Sequence, residues 1–360
     1  MTIIIFIAVL SVLVLVHELG HFFAAKKNDI RVNEFGLGFP PKLWGTTKGE
    51  TEYTLNLLPL GGFVKIFGEN GEGDEDPRSF TSKSPGARAT VIVAGVVCNL
   101  IFAWFLLSLG FMLGMPVNAG SIPEELNASN RKTIIIDVQK DTPAAEASLR
   151  RQDQILEFSD NNGVVLDNPS MAQIQDFVKE HRGEEIKIIY RRNGDIATSN
   201  IIPSLETKRG KSSLGIAMEE IATVRFPWYQ AIWKGFTSTF AMAGAFFSAL
   251  YGLILGAIKG LVGFDQILGP VGIANATGAA AQFGFAYMLG FAAMLSINLA
   301  VVNILPFPAL DGGRLIFIFI EKLRGKPLSE KFTQIVHGTG FLILILLMVL
   351  ITYQDIMKLI

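Results

Sequence analysis

The sequence predicts an α-helical polytopic membrane protein with about four transmembrane helices, a membrane-associated β-hairpin or small sheet, and one inserted α+β domain. Three observations carry this prediction. Half of the 360 residues are hydrophobic and only 18% are charged, with a mean hydropathy of +0.41, which is more apolar than an ordinary soluble enzyme. Apolar runs over residues 3–25, 90–113, 285–304 and 340–351 serve as four spans. Between the second and third lies a block, residues 117–206, of soluble composition.

The composition also narrows function. A net charge of -1 offers no basic surface for nucleic acid, so no nucleic-acid partner is expected. Cys98 is the single cysteine, which excludes an intramolecular disulfide. Of the four histidines, His17, His21, His181 and His337, the first two sit inside the first apolar run.

That run reads as a span rather than a removable leader, because no basic stretch precedes Ile3 and no small-residue cleavage site follows. Lys26 and Lys27 follow it, which places its C-terminal end in the cytoplasm. His17-Glu18-Leu19-Gly20-His21 interrupts it near that end. Residues four apart share a helix face, so the two imidazoles can hold one ion. This is the H-E-x-x-H zinc arrangement, with Glu18 as the catalytic base acting on a metal-bound water. A charged side chain at this depth costs roughly 2.5–3.5 kcal/mol, so these polar residues need a purpose.

Residues 31–67 lack helical periodicity. Tyr53-Thr54-Leu55-Asn56-Leu57 alternates as a strand does, and Pro59, Gly61 and Gly62 turn the chain into Phe63-Val64-Lys65-Ile66-Phe67. A polar loop, 68–88, then leads to the second span. Gly95 to Asn99 within that span permits close helix approach, and Asn99 can hydrogen-bond a neighbour; plain helix packing is the first expectation and a contact near the metal the alternative.

In the soluble block, strands are expected at 133–138, 154–158 and 185–191, with turns at 160–163 and 192–195. A short helix starts at Thr142-Pro143, and an amphipathic helix runs from Ser170 to His181. Residues 236–258 are apolar enough to span. Five basic residues between 314 and 331 put the loop after the third span in the cytoplasm.

Asn303-Ile304-Leu305-Pro306-Phe307-Pro308-Ala309-Leu310-Asp311-Gly312-Gly313 closes the third span. Its prolines break the helix and leave Asp311 at membrane depth. A catalytic zinc site has three protein ligands, so His17, His21 and Asp311 complete the count. The competing expectation is that Asp311 only caps a helix over 312–323.

Together, H-E-x-x-H and N-x-x-P-x-P-x-L-D-G-G resemble the site-2 protease family of zinc intramembrane proteases, in its bacterial regulator-of-sigma-E type. Within the soluble block, D-T-P-A-A-x-A-x-L followed by D-Q-I-L-E-F is similar to the PDZ run, with Ser148 and Gln152 in place of its usual glycines; that replacement predicts a different local turn. The resemblance implies a zinc cofactor held by His17, His21 and Asp311, with Glu18 catalytic. It also implies Asn298 and Asn303 as groups that hydrogen-bond the substrate backbone. Leu55, Asn56 and Leu57 are expected to receive an extended substrate by strand addition.

The partners implied are the lipid bilayer and single-span membrane proteins such as pre-cleaved anti-sigma factors or signal-peptide remnants. The resemblance further implies a bacterial inner membrane, with the PDZ-like domain and both termini outside the cytoplasm. The expected organisation is 1–116, first membrane half; 117–206, PDZ-like domain; 207–284, linker and interfacial amphipathic helix; 285–360, second membrane half. Parity sets that assignment: both zinc motifs must meet at one depth, so one extra crossing at 236–258 would misplace Asp311, and the stretch is expected at the outer interface as an amphipathic or re-entrant helix. The alternative is that it crosses twice with the help of residues 261–282. Two other classes compete, a membrane-anchored PDZ scaffold with a non-catalytic metal and a secondary transporter. An intact Glu18 argues against the first, and the absence of paired inverted halves against the second.

Overall fold

The computed structural model describes residues 1–69, 75–119, 129–192, 194–204, 214–260, 268–326 and 328–359. The acidic part of the 68–88 loop and Asn193 of the 192–195 turn lie outside the described residues. The chain divides into two units, Met1–Leu113 with Phe226–Ile360, and Gly114–Arg225.

The first unit is a helical bundle. Helix α1, Thr2–Lys27, carries apolar residues on every side, as a helix surrounded by lipid requires. After β1, Val32–Lys48, and β2, Thr51–Ile66, helix α2, Pro85–Leu113, packs antiparallel to it. The pairing is visible in register: His21 meets Val91, and His17 meets Asn99. Their backbones touch at Gly20, where a Cβ would lie 2.4 Å from the Ala94 carbonyl oxygen. Such close approach is the use of small residues between membrane helices.

The small sheet folds each long strand across two partners. Glu34–Leu37 of β1 pairs with Gly62–Lys65 on one side and Glu52–Leu55 on the other, while Lys42–Lys48 pairs with Thr51–Asn56. Leu55 therefore faces both Leu37 and Trp44, and Asn56 faces Lys42. The expectation of strand addition at Leu55, Asn56 and Leu57 meets a stretch already partly paired: Leu55 has a partner on both sides and Asn56 one in Lys42, because β1 bends after Phe39 and returns beside them. The outer stretches are 42–48 and 62–66. Glu50, at the turn between the strands, accepts from Arg78 and Lys26. Those bonds, Arg78 first, hold its carboxyl down at about 2.

Helix α5, Trp228–Ile258, is continuous over 31 residues. It lies against α2, with the Trp104 indole N–H donating to the Ile232 carbonyl and Gly235 tight against Ser108. Among the described residues, five helices are long and apolar enough to cross a membrane, Thr2–Lys27, Pro85–Leu113, Trp228–Ala257, Phe285–Asn303 and Lys331–Lys358. That is one more than the four expected. The addition falls in 207–284, where parity rather than hydropathy had argued for a surface helix.

Helix α6, Pro270–Gln282, gathers both chain ends. Its Gly278 abuts Thr2, and its Gly272 N–H donates to the Asp355 carboxylate. Helix α7, Phe285–Asn303, then packs along α2, with Ser296 Oγ–H donating to the Asn99 carbonyl, and ends beside His17. Helix α8, Asp311–Arg324, ends in a left-handed Gly325, and α9, Glu330–Leu359, returns to α6. Glu321 of α8 pairs with Arg88 at the start of α2, 2.7 Å apart.

In its described residues the second unit is a seven-stranded sheet with two helices. Its strands are β3, Met115–Asn118; β4, Ser129–Val138; β5, Gln154–Ser159; β6, Val165–Asp167; β7, Ile186–Arg192; β8, Asp195–Ile201; and β9, Ile216–Val224. They pair in the order β3-β9-β4-β5-β7-β8, with β6 on β5. Residues after 206 thus still belong to this unit, since β9 lies between β3 and β4. Helices α3, Pro143–Glu146, and α4, Met171–Glu180, complete it. Ile135, Phe158, Ile174, Ile186 and Ile188 are fully buried in its core; each contributes about 1.5–3 kcal/mol. Ser170 and Gln173 close a reciprocal capping box on α4. Ser148 and Gln152 take φ of 59° and 74°, left-handed values of the kind glycine adopts freely. At the end of α4, His181 Nδ1–H donates to the Phe177 carbonyl, with Nε2 3.2 Å from Asp160.

Candidate metal centre

Three side chains from two distant parts of the sequence converge inside the bundle. One helical turn separates His17 from His21 on α1, and both are buried. Beyond α7 the chain cannot remain helical through Pro306 and Pro308; it turns through Phe307–Leu310, and Asp311 opens α8. Its Oδ2 lies 3.0 Å from His17 Nε2 and 3.4 Å from His21 Nε2, while the two Nε2 atoms are 3.2 Å apart.

This triangle fits zinc. Donors held about 2.0–2.1 Å from a tetrahedral ion lie about 3.3–3.4 Å from one another. The protonation pattern agrees. His21 Nδ1 sits 2.9 Å from the Val91 carbonyl oxygen. A carbonyl only accepts, so Nδ1 carries the proton and Nε2 presents a lone pair. His17 Nδ1 lies 3.2 Å from the Asn99 amide. Amide oxygen and nitrogen are interchangeable by a half-turn, and the oxygen is the matched partner of an Nδ1–H. That half-turn also gives Asn99 Oδ1, otherwise buried without a partner, its donor. Asp311 Oδ2 is likewise buried without a hydrogen-bond partner. Three converging lone pairs repel one another unless a cation lies among them.

The helix-capping alternative for Asp311 does not hold, since Leu310 is the N-cap and no side-chain cap bond forms. Glu18 is half-buried beside the triangle. Its Cγ stands 3.9 Å from the position a Cβ on Gly62 would take, which puts it between the histidines and the outer stretch 62–66 of the sheet. Asn303, the last residue of α7, brings its amide nitrogen 3.4 Å from His17 Nε2. Asn298 is half-buried earlier on α7 and is absent from the site contacts among the described residues. The Asn56 side chain is buried and donates to the Gly38 carbonyl and Thr54 Oγ1. Leu55 and Leu57 are exposed but are not among the residues at the triangle.

Sequence reasoning missed the Val91 carbonyl and the role of Gly95. A Cβ on Gly95 would lie 2.6 Å from the His21 ring and 2.8 Å from the His17 ring, so the imidazoles occupy the space a side chain would take. The G-x-x-x-N spacing announced close approach; only the antiparallel offset of α1 and α2 says what approaches.

Comparison with known proteins agrees with this geometry. The family model described as Peptidase family M50 matches residues 5–347. A Clostridium perfringens protein, named for zinc-metalloprotease activity, is 37% identical over 350 residues, covering 96% of both chains. Regulator of sigma-W protease RasP of Bacillus subtilis is 30% identical over 439 aligned residues, covering 99% of both chains. Regulator of sigma-E protease RseP of Escherichia coli is 29% identical over 444, covering 98% of both. Both alignments exceed the 360 residues of this chain, which is the shorter protein. The chain belongs to peptidase family M50, the site-2 proteases, and is a zinc metalloprotease of the membrane.

Proposed function

We propose that this protein hydrolyses a peptide bond within the transmembrane segment of another membrane protein, with His17, His21 and Asp311 as zinc ligands and Glu18 as the catalytic acid–base. The observation that supports this most is the buried triangle of donor atoms with 3.0, 3.2 and 3.4 Å edges, set among helices apolar enough to lie in lipid. Zinc held there would supply a water acidic enough to ionise near neutral pH and a Lewis acid for the scissile carbonyl.

The protein's own groups do the rest. Glu18 takes one proton as the water oxygen bonds to the carbonyl carbon, and delivers it to the amide nitrogen as the C–N bond breaks. The Val91 carbonyl holds the His21 tautomer throughout. The Asn303 amide, beside His17, donates to the substrate carbonyl. Asn298, one turn and a half earlier, is a secondary candidate for that task. A transmembrane helix hides its peptide bonds, so the substrate unwinds first, and the freed backbone groups need partners. The 62–66 stretch, next to Glu18, offers them by strand addition.

The basic residues at the α1 end, Lys26 and Lys27, and at the α8 end, Lys322 and Arg324, support a cytoplasmic location for the metal-centre end of the bundle. Thr2 and Asp355 both meet α6, away from that end, which supports the reading that both termini lie outside the cytoplasm of a bacterial inner membrane. The glycine-like backbone at Ser148 and Gln152 supports a PDZ-like reading of the second unit. Its substrates are then single-span proteins, with pre-cleaved anti-sigma factors and signal-peptide remnants as the first to try.

The test is cleavage of a single-span protein by the purified chain in bilayers. The expected result is a cut inside the span that a zinc chelator stops and added zinc restores. Cleavage that persists without zinc, or falls only in exposed loops, contradicts the proposal.

A further inference from the structure

The loop that delivers Asp311 is held from outside by α9. Ala309, two residues before Asp311, has φ of 77°, a left-handed conformation that costs a non-glycine residue about 1–2 kcal/mol. Something must hold it there. The Ala309 N–H donates to Nδ1 of His337 at 3.0 Å. Because a backbone N–H can only donate, Nδ1 carries the lone pair and the proton is on Nε2. One turn along α9, Gly340 is pressed against Pro308: a Cβ there would stand 2.6 Å from both the Pro308 carbonyl oxygen and its Cβ. His337 and Gly340 thus share a helix face and touch consecutive residues of the loop. The His337 ring meets Phe317 edge-on at 5.0 Å, which fixes its plane.

Packing alone does not require histidine at this place in an apolar helix. A phenylalanine would fill the same space against Phe317 and spare the cost of a polar group near lipid. What only the imidazole adds is an acceptor for Ala309.

We propose that His337 is a positioning residue of the metal centre: by accepting from Ala309 it locks the loop and sets the Asp311 carboxylate against His17 and His21. This rests on the proposed ligand set. It gives α9, which supplies no ligand, a defined part in metal binding. Losing a direct hydrogen-bond partner of a metal ligand weakens binding by about 10–100-fold; His337 acts on Asp311 through the Ala309 backbone, and a loss of that order is the effect to look for.

The experiment compares zinc affinity, by chelator competition, in the full-length parent, H337F and H337N. H337F keeps a ring but no acceptor. H337N places a carbonyl oxygen where Nδ1 stands. H337F should bind zinc about 10–100-fold more weakly, and H337N should return to within about threefold of the parent. Thermal unfolding of the zinc-free proteins should differ little. Equal zinc affinity in H337F and the parent overturns the inference, as does H337N binding as weakly as H337F, since the ring and not the acceptor would then matter. If H337F does not accumulate, H337L is read against H337N by the same criteria. A parent that binds no zinc instead overturns the ligand set itself.

Discussion

The Nδ1–H of His21 donates to the backbone carbonyl of Val91 across 2.9 Å. That bond joins α1 to α2 and chooses the tautomer of a metal ligand at the same time. It depends on the two helices lying almost in backbone contact, which Gly20 and Gly95 allow.

Gly95→Ala tests that dependence. The new methyl would fall 2.6 Å from the His21 ring and 2.8 Å from the His17 ring, so the imidazoles must rotate away. Zinc affinity should fall at least about tenfold, with helix content kept in circular dichroism. Parent-like zinc binding would show that the rings do not need this space.

Glu18→Gln keeps the shape of the side chain and removes the base. Cleavage should fall by about 10²–10⁴-fold, the usual worth of a positioned acid–base group. Zinc content should stay at the parent level, because Glu18 is not one of the three converging donors. Turnover at the parent rate would exclude Glu18 as the proton carrier.

Much of the centre was legible in the sequence because its signals are local. Two histidines four apart declare a shared helix face, and prolines just before Asp311 declare a broken helix. Long-range pairing was not legible. Residues 53–57 alternate like any strand, and nothing in them tells that β1 doubles back to pair Trp44 with Leu55. Parity argued for a surface helix at 236–258, and local composition could not say that α5 would be continuous from Trp228 to Ile258. The left-handed backbone at Ser148 and Gln152 was missed because local residue type argued against it, whereas the surrounding core and hydrogen bonds fix it. His337 gave no signal either: its partner is a backbone N–H 28 residues away.

The free edge at 62–66 can be tested with proline. In an antiparallel strand, successive N–H groups point alternately to the partner and to the free side. Of Phe63→Pro and Val64→Pro, one therefore damages the sheet and the other only its edge. The edge variant should keep zinc and cleave at least about tenfold more slowly. If both variants cleave like the parent, substrate does not add to this strand.

The His181–Asp160 pair gives the second unit a pH dependence. The Phe177 carbonyl, and after it the Asp160 carboxylate, raise His181 above its ordinary value. A raised folded-state value means the pair contributes fully below about pH 6.5, the unfolded value, and is lost as pH rises through the folded one. Hydrogen exchange over Met171–Glu180 in the full chain should show parent and His181→Gln differing at pH 6 and converging by about pH 9. A difference that grows with pH would contradict the assignment.

The most direct measurement is the zinc content of the purified chain beside Asp311→Ala and His17→Ala. The parent should hold one zinc per chain, and each variant should lose it under the same dialysis while remaining folded. An Asp311→Ala protein that retains zinc as firmly as the parent would mean that the carboxylate does not join the two histidines, and the hydrolytic account would fall with it.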